Sequence, residues 1–185
     1  MNPIILYPLS IIILLISACA TDDQQPVIDP DREEYRTWHS FLGDKAATQY
    51  SSLTQINTEN VHELEVAWTF STGDLVEGER TEIQANPLII DGVLYSTSPL
   101  KKAFALDAAT GEKIWMFDPF EGEEPRSRGV NRGFATWSDY EGNRRLFYVA
   151  GHRLWAIDAA TGEPAQDFGE YGSLDFSANL DRDAR

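Results

Sequence analysis

The chain has a single cysteine among its 185 residues, so no disulfide can form within it. Basic residues are scarce, with 15 Lys and Arg against 30 Asp and Glu, a formal net charge of −15. That balance excludes a general affinity for nucleic-acid phosphates, which needs a cationic surface; it is the charge of a well-solvated surface. The three histidines, His39, His62 and His152, are scattered without ligand spacing, and there is neither an EF-hand loop nor a Cys–His cluster. His152 reads as a loop or strand-start residue rather than a base. Nucleophile motifs and phosphate-cradling glycine loops are also missing. The longest apolar run, Ile4 to Ile16, broken only by Tyr7, Pro8 and Ser10, falls short of the roughly 20 residues a membrane span takes.

What is present is a phrase said twice. Ala105-Leu106-Asp107-Ala108-Ala109-Thr110-Gly111-Glu112 returns as Ala156-Ile157-Asp158-Ala159-Ala160-Thr161-Gly162-Glu163, an offset of 158 − 107 = 51 residues. A period near 50 residues marks units that bury their faces only by stacking on one another. Around the first copy, Asp91-Gly92 lies between the β-rich runs Pro87–Ile90 and Val93–Thr97 and predicts a tight hairpin. Ala103–Leu106 and Lys113–Phe117 supply a third and a fourth strand, with Asp107 to Gly111 as the corner. The Asp carboxylate accepts nearby backbone N–H groups there, and Gly111 takes the left-handed conformation that Thr110 would resist. Four antiparallel strands in about 30 residues make one propeller blade.

Gly133–Trp137, Arg145–Ala150 and Arg153–Ile157 repeat the plan, with turns at Glu141-Gly142-Asn143 and at the second corner. Trp115 has no aromatic counterpart, because 115 + 51 = 166 is Gln166, and Gln166–Gly169 is expected as a shortened or displaced fourth strand. Upstream, Asn57–Leu64 reads as one short helical turn and Val66–Phe70 as a strand. Trp68, Trp115, Trp137 and Trp155 read as packing residues. The expected fold is therefore all-β, built of four-stranded propeller blades.

Before the globular part, Ile16-Ser17-Ala18-Cys19-Ala20 follows a run with the length of a signal-peptide core, although no Lys or Arg precedes it. Small residues before a cysteine resemble a bacterial lipobox, which implies acylation of Cys19 and cleavage just before it. An uncleaved short anchor or a buried cysteine is the alternative. Ala20 in place of Asp resembles sorting to the outer membrane. The organisation expected is a lipoprotein signal peptide over 1–18, a flexible acidic tether over 19–34, and a propeller portion over 35–185.

Ala105-x-Asp107-x-x-Thr110-Gly111-x-x-x-Trp115 resembles the tryptophan-docking motif of propeller quinoproteins. Trp38-x-x-x-x-Gly43-Asp44, Tyr50-Ser51-x-Leu53-x-Gln55-Ile56-Asn57, Asn60-Val61-x-x-Leu64-x-x-Ala67-Trp68, Asn86-Pro87-Leu88, Asp118-Pro119 and Arg128-Gly129-Val130-Asn131-Arg132-Gly133 extend the likeness. Together they resemble the opening of pyrroloquinoline-quinone (PQQ) dependent glucose and alcohol dehydrogenases. The resemblance implies an eight-bladed propeller holding PQQ beside Ca²⁺, oxidising a sugar or alcohol hydroxyl and passing electrons to ubiquinone or cytochrome c. It places Arg132 on the cofactor's carboxylates, where a guanidinium gives bidentate contacts that lysine does not; a surface ion pair with Glu121, Glu123 or Glu124 is the alternative. Arg126 and Arg128 read as surface ion pairs.

On the same resemblance Gln84, three residues before Pro87, falls where many alcohol dehydrogenases of that family place a cofactor-binding Glu. The adjacent cysteines that alcohol-oxidising members carry near Arg126-Ser127 are missing, which leans toward the glucose-dehydrogenase-like branch. The family's Ca²⁺ ligands, base and ring-stacking Trp are expected beyond Arg185, so the chain reads as an N-terminal portion, inactive by itself. A competing reading is a lipid-anchored, non-enzymatic propeller scaffold of the outer-membrane barrel-assembly type, since such propellers share the docking motif.

Overall fold

Asp91 and Gly92 both adopt left-handed backbone, at φ of 52° and 78°, the conformation that a two-residue hairpin matched to strand twist demands. They join β1 (Leu88–Ile90) to β2 (Val93–Thr97) in antiparallel register, with Ile90 opposite Val93. β3 (Ala103–Asp107) and β4 (Lys113–Phe117) complete the sheet. A second sheet holds β5 (Ala135–Ser138), β6 (Arg144–Ala150), β7 (Arg153–Asp158) and β8 (Ser173–Asp175). Both are four-stranded antiparallel meanders, each in chain order. The structure is a computed structural model and describes residues 33–74, 82–122 and 130–177. The signal-like run, Cys19, most of the tether, Arg126, Arg128, Glu123, Glu124 and residues 178–185 lie outside the described residues.

The two sheets stack face to face. Leu88, Ile90, Tyr95, Ala103, Ala105 and Trp115 of the first meet Phe134, Leu146, Tyr148, Ala150 and Ile157 of the second in one buried cluster. Phe117 and Trp155 meet edge-on across this boundary, ring centroids 5.0 Å apart. Strand alternation puts Phe104 and Leu106 on the opposite face of the first sheet, where Phe70 packs on Phe104 at 5.2 Å.

The twin corners are alike in detail. Asp107 Oδ1 accepts from Ala109 N, Thr110 N and Thr110 Oγ1 at 3.0, 2.8 and 3.0 Å. Asp158 Oδ1 accepts from Ala160 N, Thr161 N and Thr161 Oγ1 at the same three distances. Each corner receives an indole from the preceding unit. Trp115 Nε1 donates to Ala159 O at 2.9 Å, and Trp68 Nε1 donates to Ala108 O at 3.2 Å. The rings lie flat on the corner glycines: a Cβ at Gly162 would sit 2.6 Å from Trp115 Cδ2, and one at Gly111 would sit 2.5 Å from Trp68 Cδ2. Glycine is thus required twice over, for positive φ and for the indole above it.

Two expected strands are corrected. Val66–Phe70 alternates like a strand but forms none, because among the described residues no strand runs beside it; Trp68 and Phe70 hold it by their side chains instead. Gln166–Gly169 is a turn, not the fourth strand. Ile157 makes a single bridge to Pro164, and proline offers no N–H to continue the ladder. The chain then loops outward, folds Phe168 onto Phe147 at 5.5 Å, and returns to pair Ser173 with Trp155. The short helical turn is present as a 3₁₀ turn over Val61–Glu63. It is closed by Asn57 and Asn60, each accepting the other's backbone N–H through its side-chain oxygen.

Candidate functional site

Antiparallel topology sorts every connection to one of two ends. The Asp91-Gly92 turn and both corners share one end, where Ala108 N donates to Gly92 O and Ala159 N to Arg144 O. The opposite end gathers the strand entries: the segment before β1, the Ser98–Lys102 turn, the segment before β5, and Gly151-His152. Gln84 and Arg132 both lie on these entry segments. Asn86 N donates to Arg132 O at 3.1 Å, so backbone pairing brings the two segments together.

Arg132 is exposed, and among the described residues no carboxylate pairs with its guanidinium, Glu121 included. Its neighbours fix its backbone closely. Asn131 Oδ1 accepts Gly133 N at 2.6 Å, a turn centred on Arg132. Asn131 Nδ2 donates to Val149 O at 3.1 Å, and Thr97 Oγ1 donates to Asn131 Oδ1 at 3.4 Å. Gly133 has φ of 111°, and a Cβ there would meet Asn86 O at 2.6 Å. Gln84 is half-buried and donates through Nε2 to Glu82 Oε1 at 2.8 Å.

The same end holds a buried carboxylate. Asp74 accepts from Ser98 Oγ and Thr72 Oγ1, and from Leu100 N at 3.2 Å. This ties the chain before the first sheet to the Ser98–Lys102 turn, where Lys101 is buried with φ of 66°; burial lowers the Lys101 ammonium pKa. His152 stands 3.4 Å from Asp175 at the sheet edge, and hydrogen bonds from Ser177 hold the Asp175 carboxyl below its usual range. His39 and His62 lie apart from it, and among the described residues no three His, Cys, Asp or Glu side chains cluster as metal ligands. Asn131, Thr97 and Asp74 have no site role in the sequence reading. The Asn131-Arg132-Gly133 triplet carries a usable signal: Asn two residues before a glycine of positive φ is the pattern of an Asx turn.

Residues 38–185 match the family model described as "PQQ: Glucose/ethanol/alcohol dehydrogenase, beta-propeller domain". The chain belongs to this family. It is 33% identical over 167 residues to quinoprotein glucose dehydrogenase of Gluconobacter oxydans, covering 80% of this chain and 20% of that protein. It is 38% identical over 133 residues to the 1-butanol dehydrogenase (cytochrome c) of Thauera butanivorans, covering 68% and 18%. Among solved structures, quinohemoprotein alcohol dehydrogenase from Comamonas testosteroni superposes with a TM-score of 0.62 at 29% identity, covering 83% of this chain and 22% of that one. The chain thus spans about a fifth of the length of these relatives. The two sheets are blades of a PQQ-type propeller.

Proposed function

We propose that this chain supplies one wall of the PQQ site in a dehydrogenase that oxidises a sugar or alcohol hydroxyl. One observation carries the reading: Arg132 presents an exposed guanidinium that no carboxylate among the described residues pairs with, on a backbone pinned from both sides, at the end of the blades where Gln84 also lies. The donor set fits the cofactor. PQQ is a planar tricarboxylate, and a guanidinium offers it paired, charge-assisted hydrogen bonds. The half-buried Gln84 amide can give one neutral contact once it leaves Glu82. Bound there, PQQ supplies the acceptor for the electrons leaving the hydroxyl carbon. This chain's residues bind and orient it, and we assign them no proton transfer.

Ca²⁺ and the base that takes the substrate's proton come from outside these two blades, and the electron acceptor is ubiquinone or cytochrome c. The single cysteine, which leaves no adjacent pair for a disulfide near residue 126, favours a glucose-dehydrogenase-like substrate. Cys19 carries the lipid that tethers the protein to the periplasmic face of the outer membrane, with 1–18 as signal, 19–34 as tether and 35–185 as propeller. Cys19→Ser is expected to release the protein from the membrane fraction; retention there refutes lipidation.

Arg132→Ala in the intact protein should weaken PQQ binding at least about tenfold, the loss of a charge-assisted contact, as measured by fluorescence titration. Unchanged affinity means the site lies elsewhere. Dye reduction with glucose compared with 1-butanol decides the branch. The 185-residue chain given PQQ and Ca²⁺ is expected to turn over neither, and turnover would overturn the assignment of base and metal to other parts.

A further inference from the structure

We propose that Asn131 is the positioning residue for Arg132, fixing where its guanidinium stands relative to an anionic ring. The inference rests on the PQQ reading of Arg132. The side-chain amide of Asn131 uses both its ends. Its oxygen accepts Gly133 N and the Thr97 hydroxyl, and its nitrogen donates to Val149 O. Those partners belong to three places: the end of β2 in the first blade, the end of β6 in the second, and the turn that contains Arg132 itself. Thr97 is buried, so the amide is anchored to the body of the first blade. Arg132 O takes the Asn86 N–H on the other side, and Gly133 leaves no room for a side chain against Asn86 O. The residue between a clamped Asn and a clamped Gly has little backbone freedom, and its side chain starts from a fixed point. An exposed arginine loses much rotamer entropy on gripping a ligand. Pre-ordering the backbone does not remove that loss but spares the separate cost of ordering the loop on binding, which favours ligand affinity.

The test is a double-mutant cycle in the intact protein with Ca²⁺ present, titrated with PQQ itself. Asn131→Ala is expected to raise the dissociation constant about tenfold, the effect of one lost hydrogen-bonded turn. In an Arg132→Ala background the same change should have almost no effect, because Asn131 acts through Arg132. Asn131→Ser retains a short oxygen acceptor for Gly133 N and should recover most of the affinity. Losses that simply add, or an Asn131→Ala protein that binds PQQ normally while Arg132→Ala does not, overturn the proposal. If Arg132→Ala itself binds normally, it is the PQQ reading that fails. A further measurement needs no variant: the Gly133 amide is expected to be protected from hydrogen exchange in the cofactor-free protein. Exchange at the unprotected rate removes the turn and the proposal with it.

Discussion

At the scale of single residues, the corner glycines are the most constrained positions. Gly162→Ala must place a methyl within the Trp115 ring while holding φ of 78°. The expected loss is about 2–3 kcal/mol, within the range for a core clash added to left-handed strain, read as a lowered urea midpoint. Trp115→Phe keeps a ring but leaves Ala159 O unpaired and should cost about 1–3 kcal/mol by the same assay. The first corner's carboxylate contributes to the acid limit. Hydrogen bonds from Thr110, its backbone N–H first, hold the Asp107 carboxyl below its usual value of 3.8. Asp44, Asp139 and Asp175 are lowered by similar local bonds, and Asp167 by Arg145. A carboxyl with a depressed folded pKa stabilises the fold above its unfolded value, and that contribution fades as pH falls through the folded pKa. Stability should therefore be flat near neutrality and fall below about pH 4. Asp107→Asn should make the acid limb shallower in a pH series of unfolding curves; an unchanged slope would count against the corner as a contributor.

At the scale of elements, the clearest signals were local ones. Asp91-Gly92 named its hairpin because two adjacent left-handed residues have few chemical solutions, and both corner phrases specified their own hydrogen bonds. Gly92→Ala should lower stability by about 1–2 kcal/mol through φ strain alone, since nothing lies within 4 Å of the new methyl. A loss well above that, in the same unfolding assay, would point to an unrecognised contact. What failed were elements whose identity depends on a neighbour. Val66–Phe70 has strand alternation, but strand formation needs a backbone partner, and only its rings find one. The 51-residue period predicts the fourth strand at Gln166, but Pro164 stops the ladder and the Phe168 turn shifts the strand to Ser173. The proposed PQQ contacts, Gln84 and Arg132, are readable as two positions in the sequence. The Asn86 backbone link and the Asn131 clamp are not, because they join residues far apart in sequence.

At the scale of the whole molecule, one sheet face decides behaviour in solution. By strand register, the face of the second blade turned away from the first carries Trp137, Phe147, Val149, Leu154 and Leu174. Trp137, Val149 and Leu174 are 50%, 45% and 42% exposed. The 51-residue offset maps Leu154 and Ala156 onto Ala103 and Ala105, which the second blade buries completely. An apolar face of this kind drives association. The 185-residue chain alone is expected to sediment as concentration-dependent oligomers, and Leu174→Lys should shift it toward monomer. A monomer at all concentrations would show that the face is covered or too polar to matter.

The indole clasp reaches forward by 40 residues at Trp68 and by 44 at Trp115, each time into the unit that follows. Each of the two corners thereby offers the unit before it the same socket, whatever sequence lies between. Exchanging one corner for the other leaves each indole a fitting socket, so local fit does not depend on which copy supplies it. The clasps and the Arg132 turn sit at opposite ends of the blades, so such an exchange leaves the proposed PQQ-binding end untouched.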